Sequence, residues 1–362
     1  MKRRDVLALP LASVALAQTA EPLRIGIAGL VHGHVSGFLN AAVKRPDCRI
    51  VGLADPSAQL RSTYAERFGV ATSASFGTTT ELIDRAKPEV VACFGSTFDH
   101  ADAVEACAAK RIPVMMEKPL AVSMEHASRI QKAAERSGIP VIVNYETTWY
   151  ASHGEIWKLI HDAKAAGEIR RMVVMDGHQG PKEIGVQPEF LSWLTDPVRN
   201  GAGALFDFGC YGANLMTWLM DNARPVSVTA TTKRIKPDIY ANVDDDATVL
   251  VEYPKAQGVI EASWNWPYSR KDIEVYGETG YAIATGGNNI RLRMAKNAEQ
   301  SRTPEPLPAM DRDSISYLHS VVRTGRKVHG LSSLENNLIV TEILVAARES
   351  ARTGKRVELA RR

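Results

Sequence analysis

The chain has 362 residues, of which 45% are hydrophobic and 23% charged, with a formal net charge of +3. This is ordinary globular composition, and the length suits two domains with their own cores. The nearly balanced charge leaves no electrostatic footprint for a nucleic acid or an anionic membrane, and four scattered cysteines predict small buried thiols, not a disulfide framework.

The first twenty residues have the pattern of an export signal. Lys2 to Arg4 precede an apolar stretch, Val6 to Ala17, which is too short to span a bilayer and ends in small residues. The Arg3-Arg4 pair is typical of a twin-arginine signal, although two basic residues also occur in general secretion signals. We therefore expect residues 1–20 to be a cleaved signal and the protein to be periplasmic or secreted, exported in the folded state. A cytoplasmic protein with an apolar start is the alternative.

The elements that follow are typical of a dinucleotide site. An apolar strand, Arg24 to Val31, runs into glycine, and a helix, Ser36 to Lys44, connects it to a second strand, Arg49 to Ala54, which ends in Asp55. Strand, glycine turn, helix, strand and terminal acid form one half of such a site. The Asp55 carboxylate suits ribose hydroxyls and repels a 2′-phosphate, so we predict NAD as the cofactor, with NADP as the alternative.

Two later strands also end in polar residues. Val90 to Phe94 leads into Ser96-Thr97 and His100, and the apolar run 112–116 leads into Glu117-Lys118-Pro119. Ligands of open α/β sheets collect at the carboxyl ends of the strands, which is where Lys118 is placed. There a lysine can donate a proton to a developing alkoxide or, if its pKa is lowered, accept one from a hydroxyl. A surface turn with an ordinary Glu/Lys pair is the alternative for this tripeptide alone.

A different pattern begins after Tyr145. A helix from Tyr150 to Ala165 and a strand from Ile169 to Gly177 precede the segment Leu205 to Met220, which holds a further helix that starts near Asp207. Alternating runs between residues 226 and 285 predict a largely antiparallel sheet with one covered face. A long helix, Leu334 to Thr353, closes the chain and is capped by Ser332 or Ser333.

The predicted fold class is α/β. Residues 21–145 form a doubly wound parallel (Rossmann) sheet that binds NAD(P), and residues 146–362 form an α+β domain for substrate and oligomerisation, with a large, mostly antiparallel sheet. The open face of that second sheet is a natural surface for a homo-oligomer, either a dimer or a tetramer.

These motifs together resemble the Gfo/Idh/MocA oxidoreductases, the family of glucose–fructose oxidoreductase and inositol dehydrogenase. The resemblance extends from about Leu23 to Leu359 and depends on the glycine turn, Asp55-Pro56, Ser96-Thr97 with His100, Glu117-Lys118-Pro119 and the segment 201–211. It implies an NAD(P)-dependent enzyme that transfers hydride between nicotinamide and a hydroxyl or carbonyl of a small carbohydrate or polyol. Most relatives carry histidine where this chain has Tyr211, and a tyrosine there resembles the glucose–fructose oxidoreductase and dihydrodiol/xylose dehydrogenase branch.

Three residues are candidates for catalysis: Lys118, Asp207 and Tyr211. Asp207 and Tyr211 are four residues apart, so in the first turn of one helix they lie on the same side. An acid beside a phenol and an ammonium group can pass a proton from a sugar hydroxyl while hydride leaves the same carbon. We expect Lys118 to favour ionisation of both the carboxylate and the phenol. The alternative is that Asp207 caps a helix and Tyr211 packs in the core.

The resemblance implies a cofactor site at the strand ends, formed by Gly29, Leu30, Val31, Asp55, Ser96, Thr97, His100, Glu117 and Lys118. For His100, a structural role near the start of a helix is an equal alternative. The turn departs from the family's usual Gly-x-Gly-x-x-(Gly/Ala), because Val31 stands where the second glycine is expected. A valine side chain there crowds the approach of the pyrophosphate to the backbone.

No metal site is predicted. His32 and His34 lie in the glycine turn, but without a carboxylate or cysteine cluster beside them they lack the ligand pattern of a metal site. Asp244, Asp245 and Asp246 lack the spacing of a calcium loop, so we predict a solvated turn there. His178, Trp149, Trp193 and Trp264 are candidates for lining a sugar pocket, with burial in the core as the alternative for each.

Two alternatives to a simple dehydrogenase remain open at this point. One is an NAD-dependent glycosidase or lyase that oxidises a hydroxyl transiently, eliminates a substituent and returns the hydride. The other is a non-catalytic sugar-binding protein, against which the intact Lys118 and Asp207 argue. Net cofactor reduction distinguishes the dehydrogenase from the redox-neutral enzyme, and fold alone does not.

Overall fold

Two β-sheets organise residues 21–359, the part of the chain that the computed structural model describes. The predicted export signal, residues 1–20, lies outside these described residues, and export therefore stays a prediction. Among the helices described, none combines the length and the apolar character needed to cross a membrane.

The first sheet has the predicted dinucleotide-binding architecture. Within residues 21–359 its six parallel strands are β1 (Leu23–Ala28), β2 (Cys48–Ala54), β3 (Ser75–Phe76), β4 (Val90–Cys93), β5 (Val114–Glu117) and β6 (Val141–Asn144). Their order, β3-β2-β1-β4-β5-β6, reverses between β1 and β4, and open α/β sheets bind ligands at such a reversal. The helices between the strands are α1 (Val35–Ala42), α2 (Ala58–Phe68), α3 (Thr79–Ala86), α4 (His100–Ala109) and α5 (Met124–Ser137).

Capping residues set the ends of these helices. The side chains of Ser57, Thr78 and Ser123 each accept a hydrogen bond from the backbone N–H three residues later, which satisfies a donor that the helix leaves free. Gly69 and Gly138 adopt the left-handed conformation that ends α2 and α5.

The second sheet is mixed but mostly antiparallel. In the described part of the chain its strands are β7 (Ile169–Gly177), β8 (Ser227–Lys233), β9 (Asp246–Glu252), β10 (Gln257–Ser263), β11 (Arg270–Gly277), β12 (Gly280–Thr285), β13 (Ile290–Met294), β14 (Gln300–Arg302) and β15 (Val357–Glu358). Their order is β14-β13-β12-β11-β7-β10-β9-β8-β15, with β7 and β10 parallel and the other pairs antiparallel. The predicted fold class is confirmed.

Helices cover one face of this second sheet. The helices of the C-terminal part are α6 (Ala151–Trp157), α7 (Pro188–Leu194), α8 (Ala204–Asp207), α9 (Gly209–Leu219), α10 (Ser314–Thr324) and α11 (Leu334–Thr353). Helices α9 and α11 pack on the sheet, so alternate residues such as Val249 and Val251 are buried. On the opposite face, Met175 and Val259 are only half-buried.

Two differences from the predicted elements matter for the site. The segment Leu205 to Met220 was expected to hold one helix starting near Asp207, but Asp207 instead ends α8 and a second helix, α9, begins at Gly209. Helix α10, which the sequence analysis missed, returns to the first sheet, and its Ile315 joins a hydrophobic core with Met115 of β5. The four cysteines are buried and free, as predicted.

Candidate active site

Lys118 and Asp207 form a buried ion pair at the carboxyl end of β5. Nζ of Lys118 lies 2.6 Å from Oδ1 of Asp207 and 2.8 Å from the carbonyl oxygen of the same residue. The two side chains are only 6% and 7% exposed. The structure therefore joins two of the predicted catalytic residues, which lie 89 positions apart in the chain.

The turn that carries Lys118 is held by a buried histidine. The peptide bond between Lys118 and Pro119 is cis, and Nδ1 of His100 donates a hydrogen bond of 3.1 Å to the carbonyl oxygen of Pro119. His100 thus has a structural role, since it holds the turn that follows Lys118. Its Nε2 is buried and has no partner among the residues described, so a cofactor contact stays a prediction.

Asp207 is positioned by a loop that was predicted to be a solvated turn. The carboxylate of Asp244 accepts hydrogen bonds from the backbone N–H of Gly203 (2.8 Å) and Leu205 (2.7 Å), at the start of α8. A Cβ atom at Gly203 would lie 1.7 Å from the carbonyl oxygen of Asp244, so the close approach requires glycine. The prediction of a solvated turn is wrong here, because Asp244 caps α8 and the neighbouring Asp245 is fully buried.

Electrostatics keep the Lys118–Asp207 pair charged. Burial, the largest single effect, raises the pKa of Asp207, but the charge and hydrogen bond of Lys118, together with His178 and Trp264, lower it, and the net pKa lies below its usual value. For Lys118, burial lowers the pKa and the Asp207 carboxylate raises it, with a net pKa above the usual value. Nε1 of the fully buried Trp264 donates a hydrogen bond of 3.0 Å to Oδ2 of Asp207, which also favours the carboxylate.

The ring of Tyr211 lies between two ammonium groups. Nζ of Lys118 is 5.0 Å, and Nζ of Lys271 is 5.2 Å, from the centroid of the Tyr211 ring, both within cation–π range. Tyr211 belongs to α9 and Asp207 to α8, so the expectation that they share one helical turn is wrong. Burial raises the pKa of the phenol well above its usual value. The lowered pKa of Asp207 agrees with the effect expected of Lys118, whereas the raised pKa of Tyr211 is opposite to the expected shift.

The glycine turn after β1 is closely packed. Gly29 has φ +82°, and a Cβ atom there would lie 2.4 Å from the backbone nitrogen of Gly95, so the turn and the loop after β4 approach closely. The side chain of Val31 packs against the hydrophobic core, and its carbonyl oxygen accepts a hydrogen bond of 3.2 Å from Nε1 of Trp193. Helix α7 therefore packs on the turn that is expected to face the pyrophosphate.

Asp55 lies at the end of β2, as predicted, beside this turn. Its Oδ2 accepts a hydrogen bond from the backbone N–H of Leu30 (2.8 Å), and its Oδ1 accepts one from Ser57 (2.8 Å). Burial raises the pKa of Asp55, and these backbone bonds oppose that rise. Each carboxylate oxygen keeps a lone pair with which it can accept a bond from a ribose hydroxyl.

The loop after β4 presents a buried hydroxyl. Oγ of Ser96 donates a hydrogen bond of 2.6 Å to Asp99, so that side chain is already satisfied. Oγ1 of Thr97 is buried and has no hydrogen-bond partner within residues 21–359. Because buried polar atoms are usually hydrogen-bonded, Thr97 stays a candidate for contact with the cofactor at this strand end.

Glu117 lies next to the two histidines of the glycine turn. His32, His34 and Glu117 place one possible ligand atom each within 4.8 Å of one another, so the sequence-based statement that no carboxylate accompanies the histidines is wrong. However, Nδ1 of His32 accepts a hydrogen bond from the backbone N–H of His34 (3.1 Å), which occupies a lone pair that a metal would need. Glu117 accepts bonds from His34 (3.1 Å) and Asn144 (2.8 Å). The absence of a metal site stays a prediction.

The aromatic candidates for a sugar pocket have separate positions. His178 lies edge-on to Phe208, with ring centroids 4.9 Å apart, and lines a cavity beside the Lys118–Asp207 ion pair. Trp193 is buried and bonded to the glycine turn, whereas Trp149 donates a hydrogen bond to Asn144. Of these four side chains, His178 is the one that lines the cavity.

The two halves of the chain match two profiles of one protein family. Residues 23–145 match the profile described as "Oxidoreductase family, NAD-binding Rossmann fold", and residues 153–283 match the "GFO/IDH/MocA C-terminal domain". Among curated proteins, the chain is 22% identical to the 1,5-anhydro-D-fructose reductase of Ensifer adhaerens, over 88% of this chain and 93% of the relative. It is 24% identical to the glucose-6-phosphate 3-dehydrogenase of Bacillus subtilis, over 74% and 72%.

Solved structures share the fold. An inositol dehydrogenase homologue from Azotobacter vinelandii, complexed with NAD+, has a TM-score of 0.81 at 18% identity, over 94% of this chain and 98% of the other. The aldose–aldose oxidoreductase of Caulobacter crescentus, complexed with glycerol, has a TM-score of 0.79 at 22% identity, over 93% and 100%.

Proposed function

Because the chain belongs to the Gfo/Idh/MocA oxidoreductase family, we propose that it transfers hydride between NAD and a carbon of a sugar or polyol, with Lys118 and Asp207 handling the accompanying proton. The observation that carries this proposal is the 2.6 Å ion pair between these residues at the carboxyl end of β5. The names of the relatives above refer to sugars, a sugar phosphate and inositol, which supports a sugar or polyol as the substrate class.

The N-terminal domain fits the cofactor. The turn Gly29–Val31 lies at the strand-order reversal, Asp55 keeps acceptor lone pairs for ribose, and the buried hydroxyl of Thr97 lacks a protein partner within residues 21–359. Ser96, His100 and Glu117 border the same edge of the sheet. When bound, NAD supplies the acceptor or donor of the hydride.

The residues of the pair have different tasks. The Lys118 ammonium holds its protons firmly, because its pKa is raised, and it stabilises negative charge on a substrate oxygen. In the direction of oxidation Nζ of Lys118 accepts the proton of the substrate hydroxyl as it passes one of its own protons to the ionised Asp207. In the direction of reduction the same relay runs in reverse, so that Asp207 returns the proton through Nζ to the substrate oxygen. Tyr211 acts as a neutral phenol that donates a hydrogen bond, since burial raises its pKa.

A redox-neutral enzyme, including the glycosidase or lyase that uses transient oxidation, is the second candidate. Trp193 of α7 bonds to Val31 (3.2 Å), and the backbone N–H of Phe98 bonds to the carbonyl oxygen of Arg199 (3.0 Å). The chain thus packs over two loops of the cofactor edge, and such a cover favours retention of the nucleotide between two half-reactions. The name aldose–aldose oxidoreductase, carried by one of the similar structures, couples two aldoses and is typical of a redox-neutral enzyme. A non-catalytic binding protein is disfavoured by the intact ion pair.

One experiment separates these candidates. The purified protein is denatured, and the released nucleotide is identified and counted against the protein. The substrate is then supplied with external NAD. Net reduction of external NAD supports the dehydrogenase, whereas one retained nucleotide and product formation without net reduction support the redox-neutral enzyme. A protein that neither contains nor binds NAD(H) contradicts both.

Location and assembly complete the proposal. Residues 1–20 direct the folded protein out of the cytoplasm, as their signal pattern predicts. The protein forms a homo-oligomer through the uncovered face of the second sheet, where Val173, Met175 and Val259 are half-buried apolar residues. Light scattering of the mature protein tests the oligomer, and a monomer contradicts it.

A further inference from the structure

A cavity of about 510 Å³ lies beside the ring of Phe208, next to the catalytic pair. Its charged lining residues neutralise one another. Nζ of Lys271 is 2.5 Å from Glu146, and the guanidinium of Arg270 is 2.8 Å from Asp272. Among the residues that line this cavity, no lysine or arginine is left without a carboxylate partner.

His178 adds no cation to this wall. Burial lowers the pKa of His178 below its usual value, so the ring is neutral at neutral pH. Its Nδ1 accepts a hydrogen bond of 2.9 Å from the backbone N–H of Gly180, which requires an unprotonated nitrogen. An anionic group that entered the cavity would therefore meet no lining cation whose charge is not already offset by a carboxylate.

Asp176 is a buried carboxyl group at the same place. It is fully buried, it precedes the cavity-lining Gly177, and neither of its carboxyl oxygens has a hydrogen-bond partner in the described part of the chain. Asp176 of β7 lies directly opposite Lys271 of β11, so the two side chains share one face of the sheet. The Lys271 ammonium nevertheless donates its hydrogen bond to Glu146, and the Asp176 carboxyl group has no hydrogen-bond partner among the described residues.

The surroundings of Asp176 favour its neutral form. Burial raises the pKa of Asp176 well above its usual value; Asp272 and Glu146 raise it further, and Lys271 and Arg270 lower it. Tyr150 and Cys210 also face the group. A neutral carboxyl group offers one donor and several acceptor sites, which match a hydroxyl group because a hydroxyl both donates and accepts.

We propose that this cavity binds an uncharged polyhydroxy substrate, that Asp176 hydrogen-bonds one of its hydroxyl groups, and that sugar phosphates and sugar acids are disfavoured. The inference rests on the proposed sugar or polyol oxidoreductase and specifies its substrate class. Contact with Asp176 requires a small movement of the side chains that cover it. The side chain of Lys271 can make this movement, because it is flexible and its hydrogen bond to Glu146 is formed by the terminal Nζ alone.

The test uses the full chain with saturating NADH and titrates the intrinsic tryptophan fluorescence with defined probes. The uncharged probes are D-glucose, D-xylose and myo-inositol, and the anionic probes are D-glucose 6-phosphate and D-glucuronate. Three variants are compared: Asp176→Asn, which keeps a donor and an acceptor, Asp176→Leu, which removes both, and Asp162→Asn, the same amide change at an exposed aspartate of the same domain.

We expect at least one uncharged probe to bind at least about tenfold more tightly than both anionic probes. Asp176→Leu weakens this binding by roughly 10- to 100-fold, the usual effect of removing a hydrogen-bonding group from a site, whereas Asp176→Asn and Asp162→Asn change it by less than about tenfold. The unfolding temperature of Asp176→Leu stays equal or rises, because no protein hydrogen bond is lost. A merely structural carboxyl would instead lower it.

Three results overturn the inference: anionic probes that bind as tightly as uncharged ones, an Asp176→Leu protein with parental affinity, or NADH binding without binding of any uncharged probe. Failure of the proposed function gives a different pattern. In that case the parent protein and Asp162→Asn do not bind NADH, which is titrated separately for every variant.

Discussion

The indole nitrogen of Trp264 donates a hydrogen bond of 3.0 Å to Oδ2 of Asp207, the carboxylate oxygen that Lys118 leaves free. Trp264 directly follows β10 of the second sheet, whereas Lys118 directly follows β5 of the first. The carboxylate therefore has one partner from each domain, and its orientation depends on both.

Replacement of Trp264 by phenylalanine should change the pH dependence of the reaction. The substitution keeps an aromatic ring and removes the N–H that lowers the pKa of Asp207, so the pKa rises and the acidic limb of the pH–rate profile moves to higher pH. Turnover at neutral pH should fall by roughly tenfold or less, since one neutral hydrogen bond is lost. Trp218→Phe, in a tryptophan stacked on Trp157, is the matched control. An unmoved acidic limb contradicts the role of Trp264.

Replacement of Lys118 by methionine should separate catalysis from nucleotide binding. It keeps side-chain length but removes the acid, so turnover should fall by roughly two to four orders of magnitude while NADH affinity stays close to that of the parent. The Asp207 carboxylate is left buried without its cation, which lowers the free energy of unfolding by about 3–5 kcal/mol in urea titrations. Adding Asp207→Asn should recover part of the stability and none of the activity, because the pair acts as a unit. Parental turnover in Lys118→Met would show that the active site is assigned wrongly.

Glu117 should make the protein sensitive to acid. Burial raises its pKa, but His34, His32 and Asn144 lower it by more, to about 2 from a usual value of 4.5. A lowered folded-state pKa gives a stabilisation that is complete above the unfolded-state value and is lost as the pH falls from about 4.5 to about 2. Glu117→Gln should lose less stability over this interval than the parent, in unfolding curves recorded at each pH. Glu66→Gln, at an exposed position, should follow the parent, and the same acid dependence in Glu117→Gln contradicts the assignment.

Asp55 should select NAD over NADP. A 2′-phosphate would meet the carboxylate, so NADH should bind more tightly than NADPH in direct titrations. Asp55→Asn keeps one acceptor oxygen for the glycine turn and removes the charge, so it should narrow the difference between the two cofactors by weakening NADH binding and easing NADPH binding. Equal or tighter NADPH binding by the parent protein is the contrary result.

The export signal can be tested without knowledge of the substrate. Arg3→Lys combined with Arg4→Lys should leave the precursor in the cytoplasm if the twin-arginine route is used, whereas Lys2→Arg should be exported normally. Cell fractionation followed by immunoblotting distinguishes precursor from processed protein. Undiminished export of the double variant points to the general secretion route, and an unprocessed cytoplasmic parent contradicts export altogether.

Much of the fold was predictable because local signals agreed with one another. Capping residues such as Ser57 and Ser123 and the terminal glycines fixed the bounds of α2 and α5, and period-two alternation identified β9 and β10. Lys118 and Asp207 were identified from their motifs, and the structure brings them together.

What the sequence did not reveal depends on contacts between distant segments. The burial of Asp244 follows from its bonds to Gly203 and Leu205, some forty residues earlier, and a run of aspartates has no local sign of that. The hydrogen bond from Trp264 to Asp207 and the neutral state of Tyr211 likewise depend on tertiary packing. For His34, the carboxylate of Glu117 comes from another strand end, 83 residues away.

The return of α10 to the first sheet has a mechanical consequence. The chain leaves the nucleotide domain after Tyr145, comes back to pack Ile315 and Leu318 against it, and leaves again towards α11. The backbone thus passes between the two domains three times, and several connections restrain a relative rotation of the domains more than a single connection does. A fragment cut at residue 145 would bare the apolar surface around Met115 and Ile142. The nucleotide domain is thus completed by a segment encoded near the far end of the chain.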